Sequence, residues 1–262
     1  MNIFTSKQKA QDLISLCLIN VAAVVVSFVL KTNFLTSTIL FLGIPSFYLL
    51  YREKKYLRKI LLAAVSFGIF FGFVFDFIAE LNKAWDWNGG LLFGKILGVV
   101  QADVLIWFFL WVLHIFLFYE HFIDRKKLRS NVSVRGIEMF ILSILSVALL
   151  VIVYELFPSF LYFGKAYLIL CLIVSTPFLI TFFKKPKLVL HTVPMTIYFS
   201  FVYLTHEITA LRLEQWQFPG DYIGLVRMFN VSFPVEELVF WIILSSLIGS
   251  VYYELSFDNQ KN

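Results

Sequence analysis

The sequence predicts an all-α integral membrane protein of about eight transmembrane helices in two parallel four-helix repeats. Three observations predict it. First, 60% of the 262 residues are hydrophobic and only 15% are charged, with 31 Phe, 12 Tyr and 6 Trp. Average soluble domains carry about 25% charged and 45–50% apolar residues, so a soluble fold could not cover this much apolar surface. Second, the apolar residues fall into eight charge-poor stretches, each near the ~20 residues that a spanning helix needs. Third, a set of acidic and Trp residues recurs at a fixed spacing in the two halves. The same composition excludes disorder, collagen and coiled coil. A net charge of +5 would suggest nucleic acid in a soluble protein. Here it marks membrane orientation, and no nucleic-acid partner is expected.

In chain order the expected spans are Leu13–Leu30, Phe34–Tyr51, Ile60–Leu81, Leu91–Tyr119, Ile137–Phe157, Phe163–Phe183, Leu188–Leu211 and Ser232–Tyr253. The first follows Lys7 and Lys9, but it is long for a signal peptide and no small-x-small cleavage site follows it. A retained helix is expected. Pro45, Gly68, Gly72, Pro177 and Pro194 lie inside spans, which membrane helices tolerate. The eighth span opens with Ser232-Phe-Pro-Val-Glu-Glu, an ordinary helix start with a Ser cap, Pro in the first turn and acidic residues favoured by the helix dipole.

Orientation follows from Lys and Arg. Sixteen lie at the two termini and in the loops after spans two, four and six, and six lie on the opposite face. The positive-inside rule places the sixteen, and both termini, in the cytoplasm of a multi-pass protein of the cell membrane. Trp85, Trp87 and Trp216 on the other face fit an interfacial aromatic belt. Cys17 and Cys171 form neither a disulfide framework nor a metal spacing.

The recurrence is specific. Asp76, Trp85 and Gly89 reappear 131 residues later as Glu207, Trp216 and Gly220, and Trp87 as Phe218. After a three-residue gap, Asp103, Trp107, Tyr119, Glu120 and Asp124 reappear 134 residues later as Glu237, Trp241, Tyr253, Glu254 and Asp258. Residues 1–131 therefore form a first repeat and 132–262 a second. Four spans per unit give both the same orientation, a parallel repeat whose sites tend to lie between the units.

Carboxylates inside apolar spans cost about 2.5–3.5 kcal/mol each on insertion scales. Glu237 lies 17 residues from Glu254, and Asp103 lies 17 from Glu120. At 1.5 Å per residue this is roughly 25 Å from the cytoplasmic boundary. Asp76, Glu80 and Glu207 reach a similar level, with His206 adjacent. The carboxyls thus gather in the outer third among Trp and Phe.

At these residues the chain resembles the membrane-integral lycopene cyclase domain family, the heterodimer-type carotenoid cyclases that also occur as fused tandem repeats. Pro234-Val235-Glu236-Glu237-Leu238-Val239-Phe240-Trp241 is similar to the family's Pro-x-Glu-Glu-x-x-Phe-Phe motif. Asp76 ahead of Trp85 and Glu207 ahead of Trp216 resemble its preceding element. Unit one departs from the motif, reading Val100-Gln101-Ala102-Asp103. The resemblance implies closure of the ends of lycopene or a related carotenoid into ionone rings, without net redox. A proton adds to the terminal double bond, the next alkene attacks the cation, and loss of a proton sets the ring double bond.

Such chemistry needs a neutral acid, which burial and a neighbouring carboxylate favour. Glu236 and Glu237 are the expected donors, with Glu207 or the ionised partner of the pair as base; Asp103 and Asp76 are their counterparts in unit one. Trp216, Trp241, Phe233 and Phe240 offer π faces to the cation, and Trp85 and Trp107 complete the expected substrate contacts. Among His114, His121, His191 and His206 no metal-binding spacing occurs. No nucleotide-binding signature is present, so neither cofactor nor metal is expected. The expected partners are a lipophilic carotenoid, the bilayer and other enzymes of the carotenoid pathway. A carotenoid-binding or partner-binding subunit without activity, or a small-molecule or proton transporter, are the alternatives. A transporter would more naturally carry its carboxylates as a ladder than at one depth.

Overall fold

The computed structural model describes residues 6–87, 94–124 and 132–257. Gly89, Leu91, Asp258 and the repeat boundary at residue 131 lie outside the described residues. Among the described residues, eight helices are long and apolar enough to cross a membrane. They are α1 (Ser6–Leu30), α2 (Phe34–Arg52), α3 (Lys54–Leu81), α4 (Ala102–Ile123), α5 (Val134–Leu156), α6 (Ala166–Lys184), α7 (Pro186–Arg212) and α8 (Glu237–Ser256). The protein is an all-α, multi-spanning membrane protein.

The faces of these helices follow from their solvent. On α5, Ile137, Ile141, Leu145, Leu149 and Ile152 are exposed, an apolar surface suited to lipid and not to water. Helix α1 exposes Ile14, Leu18, Val25 and Val29 and turns Asp12, Leu16, Asn20, Ala23 and Ser27 inward. That spacing of three and four draws one helical stripe. Its residues are mostly small or polar, which lets helices approach closely where no hydrophobic force separates helix from lipid. Helix α4 lies at the centre and is largely buried. A close approach occurs at Gly68 of α3, where a Cβ would lie 2.7 Å from the Phe109 backbone of α4.

Helices α3 and α7 end alike. Lys83 and Glu214 take left-handed backbone (φ 54° and 56°). The next N–H returns to the helix in each case, Ala84 to Ala79 O and Gln215 to Ala210 O, both at 2.9 Å. This closes the orphan carbonyls of the last turn, as glycine does more commonly. The reversal throws Trp85 and Trp216 back along the helices they follow.

Helices α4 and α8 start later than the sequence suggests. Ahead of α4, strands β2 (Lys95–Ile96) and β3 (Val100–Gln101) form a hairpin turning through Leu97 and Gly98 at positive φ. Ahead of α8, β5 (Leu225–Met228) and β6 (Val231–Pro234) pair around Phe229 and Asn230, both at positive φ as a two-residue primed turn requires. Ser232 and Pro234 are therefore strand residues, not a helix cap and first turn. Two short strands, β1 (Asp86–Trp87) and β4 (Trp216–Gln217), pair antiparallel between the loops after α3 and α7.

Residues that correspond at the recurrence spacing meet along the line between α4 and α8. Asp86 faces Gln217 across β1–β4. Trp107 stacks on Trp241, with centroids 4.8 Å apart and planes at 17°. At the far end Tyr119 donates to Glu254 while Tyr253 donates to Glu120 (2.5 Å), two counterpart hydrogen bonds exchanged across one interface. Beside them Lys59, expected from its sequence position to face the cytoplasm, is buried 2.5 Å from Glu120. The ring of His121 sits between Glu53 (2.9 Å) and Asp12 (3.0 Å).

Candidate functional site

At the opposite end from that ionic cluster, a cleft opens between the two halves of the chain. Trp85, Trp87, Trp107 and Phe108 line it from the first half. Tyr167, Glu207, Trp216, Phe218, Glu237 and Trp241 line it from the second. About 370 Å³ of space free of atoms lies in and at its mouth, open to the surroundings.

Two indole–carboxylate clamps shape the walls. Trp216 Nε1 donates to Glu207 Oε1 at 3.0 Å, and Trp85 Nε1 donates to Asp76 Oδ1 at 3.0 Å. Each bond spans nine residues and is made possible by the left-handed turn after its helix. A buried indole N–H needs an acceptor, so each clamp fixes the tilt of one aromatic wall. Trp87 bridges them, edge-on to Trp216 (5.5 Å) and to Trp85 (6.5 Å). The stacked Trp107–Trp241 pair faces them from α4 and α8.

Glu237 stands at the start of α8, where the helix is widened to π geometry over Glu237–Leu244. Such widening recurs at functional positions. Its Oε2 accepts the Tyr167 hydroxyl. The Tyr167 ring in turn lies edge-on to Trp85 at 5.1 Å, tying a carboxylate of the second half to a wall of the first. The loop around the cleft is pinned by Tyr222, which accepts from Gly220 N (2.8 Å) and donates to Ala84 O (2.5 Å). Burial pushes the Tyr222 phenol up to about 12; the Gly220 N–H opposes this and the nearby Glu237 and Glu236 add to it. It stays a donor at neutral pH. At Gly220 a Cβ would meet Lys83 O at 2.8 Å, so the two loops touch through that glycine.

The structure brings together Glu207, Glu237, Trp85, Trp107, Trp216 and Trp241 of the residues expected from sequence. Others stand back from the cleft. Glu236 is fully buried and turned aside, its Oε1 accepting Ile223 N at 2.8 Å. Adjacent helical residues point about 100° apart, so two consecutive glutamates cannot both face one cleft. Asp76 is buried behind Trp85, which it holds. Asp103, in the first turn of α4, is buried outside the cleft wall. Phe233 is enclosed in the core on β6, and Phe240 packs into the cluster around Trp85 and Tyr167.

Tyr167 was missed in the sequence. Its one signal was a Tyr near the start of an apolar helix, whose hydroxyl must find a partner when buried.

Histidines make no centre here. His206 stacks on Phe41 (4.6 Å) and stands edge-on to Trp216 (5.4 Å), and His114 bonds Tyr198 (3.1 Å). His191 bonds Ile123 O (3.1 Å). Among the described residues, no group of three or more His, Cys, Asp or Glu is placed to hold a metal ion.

Comparison with protein-family models, curated proteins and solved structures gives no match. Two carboxyls face an aromatic-walled apolar cleft, and its described lining contains no Ser, Thr, Cys, His or Lys. Such a site can give and take a proton and shelter a carbocation, with no protein nucleophile stronger than a carboxylate to trap it.

Proposed function

We propose that the chain is a carotenoid cyclase of the lycopene type, related to the membrane-integral lycopene cyclase domain family, forming ionone rings by proton-initiated, non-redox cyclisation within the membrane. One observation carries the proposal: Glu207 and Glu237 share a cleft otherwise walled by Trp, Phe and Tyr in an apolar, membrane-spanning protein. One carboxyl protonates the terminal alkene of the polyene. The adjacent alkene then attacks the tertiary cation, closing the ring and moving the charge to a ring carbon. The other carboxyl removes a proton beside that carbon, setting the ring double bond. One proton enters and one leaves, so the product is an isomer of the substrate and no cofactor is consumed. The indole faces lower the energy of the cationic intermediates, a contribution of about 0.5–2 kcal/mol for each well-placed ring.

This function suits a duplicated chain. The meeting of Asp86 with Gln217, of Trp107 with Trp241, and of Tyr119 and Tyr253 with Glu254 and Glu120 supports two repeats, 1–131 and 132–262, about a local two-fold axis. The cleft straddles that axis but draws both its carboxyls from the second repeat. We place both termini in the cytoplasm and the cleft near the outer leaflet. A carotenoid, the surrounding lipid and neighbouring enzymes of the same pathway are the proposed partners.

Expression in a bacterium that accumulates lycopene, followed by pigment chromatography, tests the proposal. Ring-bearing carotenoids are the expected result. Unchanged lycopene at full protein expression would favour the second reading, a carotenoid-binding subunit without activity, for which the loss of the Pro-x-Glu-Glu motif in unit one is the supporting observation.

A further inference from the structure

The two carboxyls of the cleft are not equivalent, and their partners say which does what. We infer that Glu207 holds the proton that starts the reaction, and that Tyr167 keeps Glu237 as the carboxylate that accepts the proton at its end. The inference rests on the cyclase reading and deepens it.

Two carboxyls in one apolar cleft share a single proton, because two adjacent negative charges away from water are prohibitively unfavourable. Their surroundings decide where that proton sits. Glu237 receives a hydroxyl from Tyr167, whereas Glu207 receives an indole N–H from Trp216 at 3.0 Å. An O–H donor to a carboxylate makes the shorter and stronger charge-assisted bond. Helix position acts in the same direction. Glu237 opens α8, where the positive end of the dipole favours an anion. Both features leave the proton on Glu207. The sequence alone points to Glu236 and Glu237 as donors, with Glu207 or the ionised partner of the pair as base; the Tyr167 contact is what it does not show.

The step balances. The O–H bond of Glu207 breaks and a C–H bond forms at the terminal alkene; later a ring C–H bond breaks and its proton passes to the Glu237 carboxylate. Glu237 then gives that proton up to water at the open side of the cleft and Glu207 takes one back from water, which resets the pair, and nothing is oxidised or reduced. Tyr167 is a positioning residue in this scheme: it acts through Glu237 and holds one of its oxygens, leaving the other for the substrate.

The test uses the full-length protein and four single variants, Glu207→Gln, Glu237→Gln, Tyr167→Phe and Tyr222→Phe, in lycopene-accumulating cells and as purified protein in detergent. Infrared difference spectra between wild type and variant locate the protonated carboxyl. Its C=O band should vanish in Glu207→Gln and persist in Glu237→Gln. In cells, Glu207→Gln should lose ring formation about 100-fold or more, the scale of a general acid. Glu237→Gln and Tyr167→Phe should still start the reaction but shift the ratio of ring double-bond isomers, since the final proton is removed by a different acceptor. Tyr222→Phe, which removes a hydroxyl bonded to Ala84 O and not to a carboxyl, should leave that ratio unchanged. A band lost in Glu237→Gln but kept in Glu207→Gln overturns the assignment. So does a Tyr167→Phe isomer ratio identical to wild type. Should the wild type form no rings at all, the cyclase proposal fails, while the infrared comparison still decides where the proton lies.

Discussion

Replacing Lys59 with Met probes how the end of the bundle farthest from the cleft is held. Lys59 Nζ lies 2.5 Å from Glu120 Oε1, and both side chains are buried to within 1% of full enclosure. Tyr253 donates to the same oxygen at 2.5 Å. Met preserves most of the side-chain volume and removes only the charge. Breaking a buried ion pair from one side costs about 3–5 kcal/mol, because the remaining charge has lost its counter-ion. The Tyr253 hydroxyl still serves Glu120, so the lower end is expected, about 3 kcal/mol, or roughly 100-fold in the folding equilibrium. Reversible unfolding in mixed micelles, followed by Trp fluorescence, measures it. The double variant Lys59→Met, Glu120→Gln removes both charges and should recover most of the loss, since neutral replacement of a buried pair is often close to neutral in stability. As a contrast, Arg52→Met breaks a contact to Asp12 whose Arg partner is 34% exposed. The buried Asp12 keeps the Tyr48 hydroxyl and the His121 ring as partners, so this change should cost less than Lys59→Met. A Lys59→Met protein as stable as wild type, or a double variant as unstable as the single one, would refute the reasoning.

Three further outcomes are expected. Glu236→Gln should retain near-normal ring formation, since a Gln carbonyl can still accept Ile223 N–H, while Glu237→Gln should not match the wild-type product pattern; Asp103→Asn, outside the cleft wall, should cost far less than Glu237→Gln, and pigment chromatography compares all three. Gly68→Ala should destabilise by about 1–3 kcal/mol in the same unfolding assay, because its Cβ would stand 2.7 Å from the Phe109 backbone, which cannot move aside alone. Reporter fusions near Lys55, Lys126 and Lys185 should report cytoplasm and one near Gln217 the opposite side; any of the first three appearing outside would break the orientation proposed from the positive residues.

Much of the fold was legible because the bilayer imposes a simple rule: each crossing is a long apolar helix, and all eight appear within several residues of their expected positions except at the start of α4. The hairpins before α4 and α8 were not legible. Val99, Val100, Val231 and Phe233 are as apolar as the helices that follow, so composition alone carries no boundary there; the turn at Phe229-Asn230 was the available sign. In the site, the Asp–Trp and Glu–Trp spacing pointed to real contacts because an indole N–H near a carboxyl in an apolar span has few other acceptors. Glu236 and Glu237, neighbours in sequence, diverge on the helix, and only Glu237 lines the cleft. Tyr167 escaped because it contacts Glu237 across 70 residues and no recurrence flagged it.

The central claim is proton-initiated ring closure without redox, and one measurement addresses it directly. Purified protein in liposomes is given lycopene in heavy water, and the products are weighed by mass spectrometry. The account predicts ring-bearing products that are isomers of lycopene in ordinary water and carry one deuterium per ring formed in heavy water, with none when both Glu207 and Glu237 are replaced by Gln. Rings without deuterium, products that differ from lycopene by loss or gain of hydrogen, or undiminished rings from the double variant would contradict it.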